Sequence, residues 1–259
     1  LLTVADYERS ATSLLPTQTR DYYNGGADDE WTLSENRRAF DDYVIRPFCL
    51  RDKSSCSLST SFLSLPLSHP IGIAPTGYHG LAHPEGELAT VRGAKASNSL
   101  MIASSFSTTP LENMKEAAGN HPMWMQLFVY TDRALTQSII RRAETAGYSA
   151  FVLTVDYPTS GRRLKDIRNG FQLPSHLKNA NFASISGAPA IQPFTWEFVQ
   201  ELVESTSLPV IVKGVMRAED ALKAIESGAK GIIVSNHGGR QLDSVPASIH
   251  VLKEIAEAV

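Results

Sequence analysis

The chain has 259 residues, 42% of them hydrophobic and 20% charged, a composition typical of a globular protein and sufficient for one barrel or two ordinary domains. Its formal net charge is −3 and it has no basic tract, which argues against a nucleic-acid partner. No apolar run approaches the roughly 20 residues of a membrane-spanning helix, and no signal-peptide pattern is present. Cys49 and Cys56 are too few for a disulfide framework, and no Cys/His cluster has zinc spacing. We therefore expect no membrane association and no metal site, and we expect a reduced, intracellular setting.

Residues 1–69 are predicted to form a helical extension. Residues 3–15 and 17–24 have helical character, and the second segment is followed by two glycines, a common helix-ending signal. Residues 34–40 predict a further turn of helix, and residues 43–50 predict an extended stretch.

From residue 70 onward, apolar runs alternate with amphipathic segments. The predicted strands are 70–75, 100–103, 123–129, 150–155, 208–212 and 231–234. The predicted helices are 86–98, 110–118, 132–146, 195–206, 217–227 and 247–258. Strands that are apolar throughout and alternate with helices indicate a parallel sheet covered by helices.

Six such units fit either an open doubly wound sheet or a (β/α)₈ barrel. No G-x-G-x-x-G turn follows the first strand, which weakens the dinucleotide-binding form of the open sheet. Polar residues follow every strand, at the end where barrel enzymes build their sites. They are Thr76, Ser104, Ser105, Gln126, Thr154, Asp156, Lys213 and residues 235–240. We therefore predict an α/β TIM barrel with an N-terminal helical extension, of which about six βα units are present.

The sixth strand ends in SNHGGR, which places His237 and Arg240 at the predicted barrel mouth. Histidine can accept a proton near neutral pH, and the planar arginine fork suits a carboxylate. This pair favours chemistry at a carbon next to a carboxylate. Asp156 could hydrogen-bond the imidazole, and Lys213 could place a positive charge against a cofactor that becomes anionic.

Six ordered stretches resemble the FMN-dependent α-hydroxy-acid oxidases and dehydrogenases, the glycolate and lactate oxidase family. They are DYYNGGADDEWTLSENRRAF, IAPTGYHGLAHPEGE, WMQLFVYTDR, LTVDYPTSGRR, LPVIVKGV and SNHGGRQLD. The resemblance covers nearly the whole chain, and implies one domain over 1–259 in which residues 70–259 form a partial barrel.

The resemblance also implies a role for individual residues. His237 would be the active-site base with Asp156 as its partner, and Lys213 would stabilise reduced, anionic FMN. Around the substrate carboxylate the family pattern places Arg240, Tyr22 and Arg163. Around FMN it places Ala74, Pro75, Thr76, Ser104, Gln126, Thr154, Lys213 and Ser235.

The implied reaction is oxidation of a small or medium (S)-2-hydroxy acid to the 2-oxo acid. His237 takes the hydroxyl proton, and the α-hydrogen leaves as a hydride or by way of a carbanion. Dioxygen reoxidises FMN in the oxidases and forms hydrogen peroxide, whereas another acceptor does so in the dehydrogenases. Family members are often homotetramers and several are peroxisomal, so we expect a homo-oligomer in a peroxisomal or cytoplasmic location.

Two side chains depart from the family pattern near the expected substrate. Phe128 stands where the family has a tyrosine whose hydroxyl contacts the substrate oxygen, and Phe106 stands where glycolate oxidases have tryptophan. With Gly77 nearby, the pocket is expected to be roomier than glycolate needs. A medium-chain, long-chain or aromatic 2-hydroxy acid is therefore the expected substrate.

The family continues with two more strands that hold the FMN phosphate, and these are missing here. The chain begins at Leu1 and stops at Val259 within a predicted helix, so we expect a piece of a complete enzyme. The alternative is a shortened, non-catalytic relative that does not bind FMN stably. A third, weaker alternative is another FMN barrel that acts on a different substrate.

Overall fold

The N-terminal region forms three short helices and a hairpin before the barrel strands begin. The computed structural model describes residues 1–52, 54–182 and 189–259. The first elements are α1 (Val4–Leu14), α2 (Thr17–Asn24), α3 (Trp31–Arg38), a 3-10 turn (Ala39–Asp42), β1 (Thr60–Phe62) and β2 (Leu65–Leu67). Helix α1 begins at a capping box, in which Thr3 and Asp6 each accept a hydrogen bond from the other's backbone N–H. The first two helices lie where the sequence predicts them.

The rest of this region differs from its prediction. Helix α3 begins before the predicted 34–40 segment because the Asp243 carboxylate accepts hydrogen bonds from the N–H groups of Asp29, Trp31 and Thr32. Residues 43–48, predicted as an extended stretch, belong to no helix or strand, and β1 and β2 form an antiparallel hairpin that was not predicted. Its turn holds Leu63 and Ser64 at φ of 48° and 62°, a left-handed geometry that Gly or Asn usually signals.

The barrel region is a six-stranded parallel sheet with helices between its strands. The strands pair in chain order as β3 (Gly72–Ile73), β4 (Leu100–Ala103), β5 (Met123–Leu127), β6 (Ala150–Thr154), β7 (Val210–Val215) and β8 (Gly231–Val234). The helices are α4 (Gly86–Ser97), α5 (Leu111–Ala118), α6 (Arg133–Ala146), α7 (Leu164–Asn169), α8 (Trp196–Glu204), α9 (Ala218–Glu226) and α10 (Ser248–Ala258). None of the helices in the described ranges is both long and apolar enough to cross a membrane. The predicted partial barrel is confirmed, with β3 and β8 at the two edges of the sheet.

Alternate residues of each strand point to opposite faces of the sheet, and the two faces bury different clusters. The face toward the helices packs Met101, Met125, Leu153 and Val212 into the main core. The inner face packs Leu100, Ile102, Trp124, Ala150, Val152 and Ile211, with Leu65 and Leu67 of the hairpin against them. The hairpin therefore covers the inner cluster near the start of the strands.

The long connection after β6 contains α7 and a 3-10 turn at Ala180–Phe182. Residues 183–188 of this connection, including Gly187, lie outside the described residues. The length of this connection, residues 157–194, predicts a lid over the site, and that role stays a prediction. The division into an extension of residues 1–69 and a partial barrel within one domain stays a prediction as well.

Candidate active site

A cavity of about 520 Å³ opens at the carboxyl ends of the strands. It is lined by Tyr22, Tyr23, Ala74, Pro75, Thr76, Gly77, Tyr78, Ser104, Phe106, Gln126, Phe128, Thr154, Tyr157, Arg163, Phe171, Lys213, Ser235, His237, Gly238 and Arg240. Every residue predicted for the site is in this set except Asp156, which lies behind His237. The cavity is within the size range of small-molecule and cofactor sites.

The two-residue period of the strands explains how the polar side chains reach the cavity. Gln126 lies two positions after Trp124, Thr154 two after Val152, and Lys213 two after Ile211. Each pair shares the inner face, so an apolar layer is followed along the strand by a polar one. Thr154 also pairs in register with Lys213, which brings the two side chains onto neighbouring strands.

His237 and Asp156 form a hydrogen-bonded pair. The distance from His237 Nδ1 to Asp156 Oδ1 is 2.7 Å. Since the carboxylate can only accept, the neutral imidazole keeps its proton on Nδ1 and leaves Nε2 as the acceptor. Burial lowers the pKa of His237, the Asp156 hydrogen bond raises it, and nearby Lys213 lowers it, with a net decrease. The ring is thus a neutral base at neutral pH.

The turn that carries His237 has an unusual backbone. His237, Gly238 and Gly239 have φ of 60°, 67° and 71°, all in the left-handed region. Glycine adopts this conformation freely, but histidine does so at a cost. The His237 N–H donates to Ser235 Oγ at 3.0 Å, which helps hold the turn.

Arg240 is anchored from behind by the N-terminal segment. Its Nη1 donates to the backbone oxygens of Tyr22 at 2.6 Å and Gly25 at 2.8 Å. Arginine has five N–H donors in all. Those on Nη2 and Nε make no hydrogen bond to the part of the chain that the structure describes, so they remain for a ligand. The guanidinium carbon also lies 5.1 Å from the centre of the Tyr22 ring. Burial lowers the pKa of Arg240 and raises that of the Tyr22 phenol. Arginine is not deprotonated in proteins despite such a decrease, and the raised pKa keeps the proton on the phenol at neutral pH.

Lys213 is a buried cation at the base of the cavity. Lys213 is 7% exposed, and its Nζ makes no hydrogen bond or ion pair with the described residues. Burial lowers the pKa of Lys213, and the Asp156 charge raises it by a smaller amount. A buried ammonium group without a direct partner is costly, and a bound anion would offset that cost.

The remaining polar residues of the cavity wall form a network. Gln126 Oε1 accepts from the N–H and the hydroxyl of Ser105, each at 3.1 Å, and Gln126 Nε2 donates to Thr154 Oγ1 at 3.0 Å. Ser104 Oγ accepts from the Phe106 N–H at 3.1 Å. Within residues 1–52, 54–182 and 189–259, these bonds leave one amide N–H of Gln126 and the hydroxyl proton of Thr154 to donate to a ligand.

Aromatic side chains form the opposite wall. Phe128 packs between Phe106 and Tyr157, with ring centres 5.5 Å and 5.3 Å away. Tyr22 stacks on Phe171 at 4.7 Å, and Arg163 at the cavity edge is paired with Asp166. A Cβ on Gly77 would lie 3.1 Å from the Tyr22 hydroxyl, so a larger residue there would crowd this wall.

Sequence reasoning missed Tyr157 and Asn236. Tyr157 lines the cavity, and its ring lies 6.1 Å from the His237 ring. Asn236 is buried and lies directly before His237. Tyr157 follows Asp156 immediately, so its position at a strand end was the signal available for it.

A comparison with protein families matches residues 11–259 to the FMN-dependent dehydrogenase family. The chain belongs to this family, which confirms the resemblance of its six motifs. It is therefore an FMN-dependent enzyme that catalyses oxidation.

The chain is 46% identical to glycolate oxidase 3 of Oryza sativa subsp. indica, in an alignment that covers 97% of this chain and 73% of that protein. It is 42% identical to 2-hydroxyacid oxidase 1 of Homo sapiens, covering 100% of this chain and 75% of that protein. Among solved structures, a mandelate oxidase variant with tyrosine replaced by phenylalanine, bound to (S)-mandelic acid, superposes with a TM-score of 0.95 at 39% identity. That superposition covers 100% of this chain and 75% of the mandelate oxidase.

The cavity residues fit the ring system of FMN. The Lys213 ammonium, the Gln126 amide and the Thr154 hydroxyl line the cavity with donors that no described residue accepts, and the edge of the flavin pyrimidine ring is rich in acceptors. Ala74, Pro75 and Thr76 also line the cavity. These residues would hold the ring, and FMN would supply the oxidising equivalent there.

Proposed function

We propose that this chain oxidises an (S)-2-hydroxy acid to the corresponding 2-oxo acid, with dioxygen as the final acceptor and hydrogen peroxide as the second product. The observation that carries the proposal is the convergence of a neutral base and an unused guanidinium edge in one cavity. Asp156 holds the Nδ1 atom of His237, and Nε2 has no partner among the described residues. Arg240 has its Nη1 occupied by backbone oxygens, and no described residue accepts from its remaining donors.

Arg240 is proposed to bind the substrate carboxylate through its Nη2 and Nε groups, with the Tyr22 hydroxyl and Arg163 as additional donors. Charge-assisted, bidentate pairing fixes the direction of the carboxylate as well as its distance. Binding in this way would place the hydroxyl group of the adjacent carbon toward His237. Orientation of that kind converts binding energy into rate.

His237 is proposed to take the proton of the substrate hydroxyl on Nε2. Asp156 then stabilises the imidazolium that forms, since its carboxylate already accepts the Nδ1 proton. The chemistry that bound FMN would supply is that of a two-electron oxidant, which would take up the α-hydrogen of the substrate carbon with its electrons and be reoxidised by the next acceptor. The buried ammonium of Lys213 is proposed to stabilise negative charge on the adjacent ring system.

The wall formed by Phe106, Phe128 and Tyr157 is proposed to contact the substrate side chain. Phe128 contacts the rings of both Phe106 and Tyr157, and position 128 carries no hydroxyl. Such a surface favours an aromatic or medium-length apolar side chain over the hydrogen of glycolate, through burial of apolar area and ring contacts.

The proposal is tested by measuring three quantities in one reaction: oxygen consumed, hydrogen peroxide formed and 2-oxo acid formed. The panel contains glycolate, (S)-lactate, a medium-chain 2-hydroxy acid and both enantiomers of mandelate. Equal amounts of all three for the (S) acids, with the highest kcat/KM for mandelate or the medium-chain acid, is the expected result. Product that forms only with an artificial electron acceptor would replace the oxidase assignment by a dehydrogenase one.

We further propose a homotetrameric assembly and a peroxisomal or cytoplasmic location, both by likeness to the family. Light scattering on the purified protein measures the first. Microscopy of the tagged protein in cells measures the second.

A further inference from the structure

A buried side chain, Asn236, helps to hold the backbone turn that carries the proposed base, and it is 5% exposed. Its Oδ1 accepts from the Gly239 N–H at 3.1 Å and from Asn36 Nδ2 at 2.9 Å. Its Nδ2 donates to Asn36 Oδ1 at 2.7 Å and to the Pro246 oxygen at 3.1 Å. Two donors and two acceptor sites are all that an amide has, so Asn236 is fully satisfied.

Two of these four bonds go to one residue of helix α3, 200 positions away in sequence. Asn36 and Asn236 bond each other in both directions, which fixes the orientation of both amide planes. Replacing Asn36 would leave one donor and one acceptor of Asn236 unsatisfied in a buried position, at a substantial cost. The pair therefore couples α3 directly to the turn at residues 237–239.

Backbone contacts between the same two segments leave little room for adjustment. The Ala27 N–H donates to the Gly239 oxygen at 2.8 Å. A Cβ on Gly239 would lie 2.6 Å from the Leu33 nitrogen, so α3 packs against the turn itself. A left-handed histidine persists only where its surroundings determine it, and on this side the surroundings are α3.

We propose that Asn36 is a positioning residue: through Asn236 it holds the left-handed turn so that Nε2 of His237 points into the cavity. This inference rests on the proposed function, because it assigns Asn36 to the reaction in which His237 acts as base. Asn36 is not in the cavity lining and acts through the backbone of its partner.

The test compares Asn36→Ala with a matched control on the same helix. Thr32 is fully buried, and its hydroxyl exchanges hydrogen bonds with the backbone of Val245, beyond the turn. Thr32→Val removes these bonds with little change in shape. Both variants are expected to lower the unfolding temperature, but only Asn36→Ala is expected to disturb His237.

The first readout is the imidazole ¹⁵N signals of His237 in the flavin-free chain, measured by NMR on protein labelled with ¹⁵N-histidine. These signals are assigned by their loss in His237→Gln. The groups around this ring are Asp156, Lys213, Arg240 and Tyr157. All of them are kept in both variants. Wild type and Thr32→Val are expected to show one tautomer with the proton on Nδ1, and Asn36→Ala a mixture of tautomers.

The second readout is kcat and KM of the FMN-loaded enzyme, with FMN affinity measured alongside. Asn36→Ala is expected to lower kcat about tenfold, because a small displacement of a catalytic group is enough for such a loss. Its KM and FMN affinity are expected to change less than twofold, and Thr32→Val is expected to keep the wild-type kcat.

Unchanged His237 signals and kcat in Asn36→Ala would overturn the proposal, and so would equal changes in Thr32→Val. If Asn36→Ala does not fold, Asn36→Asp keeps the acceptor for Asn236 Nδ2 and loses the donor, and it is judged by the same readouts. Wild-type protein that oxidises no 2-hydroxy acid would refute the proposed function instead, and the tautomer comparison would still decide the role of Asn36.

Discussion

Two layers on the inner face of the same sheet have opposite character. The lower layer contains Trp124, Val152 and Ile211, which pack together and are covered by the β1–β2 hairpin. The upper layer, two residues further along the same strands, contains Gln126, Thr154 and Lys213. The lower layer gains free energy from burial, whereas the upper layer buries polar groups that would be cheaper in water. The difference separates residues that stabilise the fold from residues that are kept for binding and chemistry.

The largest effect is expected at the mouth, for His237→Gln. Loss of the base removes proton transfer from the substrate hydroxyl, and general base catalysis contributes about 10²–10⁴-fold in rate. We expect kcat to fall by that factor while the unfolding temperature stays within a few degrees of wild type. Steady-state kinetics and calorimetry measure the two quantities. A variant that keeps more than half of its kcat would remove His237 from the mechanism.

Ile211→Ala, in the lower layer, is expected to have the opposite effect: a loss of stability with no change in kcat. Ile211 is fully buried, and truncation of a buried isoleucine costs about 2–5 kcal/mol of unfolding free energy because it leaves a cavity. The position is two residues before Lys213 on the same strand, so the pair forms a matched comparison. Denaturant unfolding measures the loss, and the kcat of the folded fraction is expected to be unchanged. An Ile211→Ala chain with wild-type stability would contradict the two-layer account.

Lys213→Met sharpens the comparison because it gives an upper-layer position the apolar character of the lower layer. The ammonium has no direct partner in the described residues, so its removal is expected to leave the flavin-free chain as stable as wild type or more so. FMN affinity is expected to fall about tenfold to a hundredfold, the value of a charge-assisted hydrogen bond. Flavin fluorescence titration and thermal unfolding measure the two effects. A flavin-free chain destabilised by the substitution would show that Lys213 is a structural residue.

The pH dependence of kcat/KM reports the state of His237. Burial lowers the pKa of His237, the Asp156 hydrogen bond raises it and nearby Lys213 lowers it, and the net shift is downward from 6.5. Because the neutral ring is the active form, kcat/KM is expected to be constant above the lowered pKa and to fall about tenfold per pH unit below it. A pH–rate profile at subsaturating substrate measures this fall on the acidic side. A limb above the ordinary histidine value would contradict the burial argument.

The smallest effect is expected for Phe128→Tyr, which adds one hydroxyl to the aromatic wall. A neutral hydrogen bond is worth about 0.5–1.5 kcal/mol, so kcat/KM for 2-hydroxy acids is expected to rise by up to about tenfold if the hydroxyl reaches the substrate oxygen. Phe106→Tyr on the neighbouring ring is the control, with the same added group at a different place on the wall. Equal changes in both variants would show that general polarity of the wall, and not a contact from position 128, sets the rate.

Local patterns predicted most of the barrel. The strand at Leu100–Ala103 and the one at Gly231–Val234 lie where the apolar runs place them, and α6 ends at Ala146, the residue predicted as its end. The start of α3 was not predictable in the same way, because its N–H groups are satisfied by Asp243, more than 200 residues later. The β1–β2 hairpin was missed because Leu63 and Ser64 occupy turn positions that normally carry Gly or Asn.

The same distinction applies to the site. Strand ends are visible in sequence, so the polar residues of the mouth were predicted together. The Asn36–Asn236 pair was not predicted, because it depends on how the N-terminal helix packs against a loop at the far end of the chain. Tyr157 was missed because its contacts with Phe128 and His237 are tertiary.

The most direct test of the central claim, that the polar upper layer forms an FMN-dependent oxidation site, is a visible absorbance spectrum recorded without oxygen. The chain is loaded with FMN and mixed with (S)-mandelate, and His237→Gln loaded in the same way is the control. Rapid bleaching of the flavin absorbance in the wild type, with slow or no bleaching in the variant, is the predicted result. Bound FMN whose absorbance is bleached by no 2-hydroxy acid, or a chain that binds no FMN at all, would contradict the account.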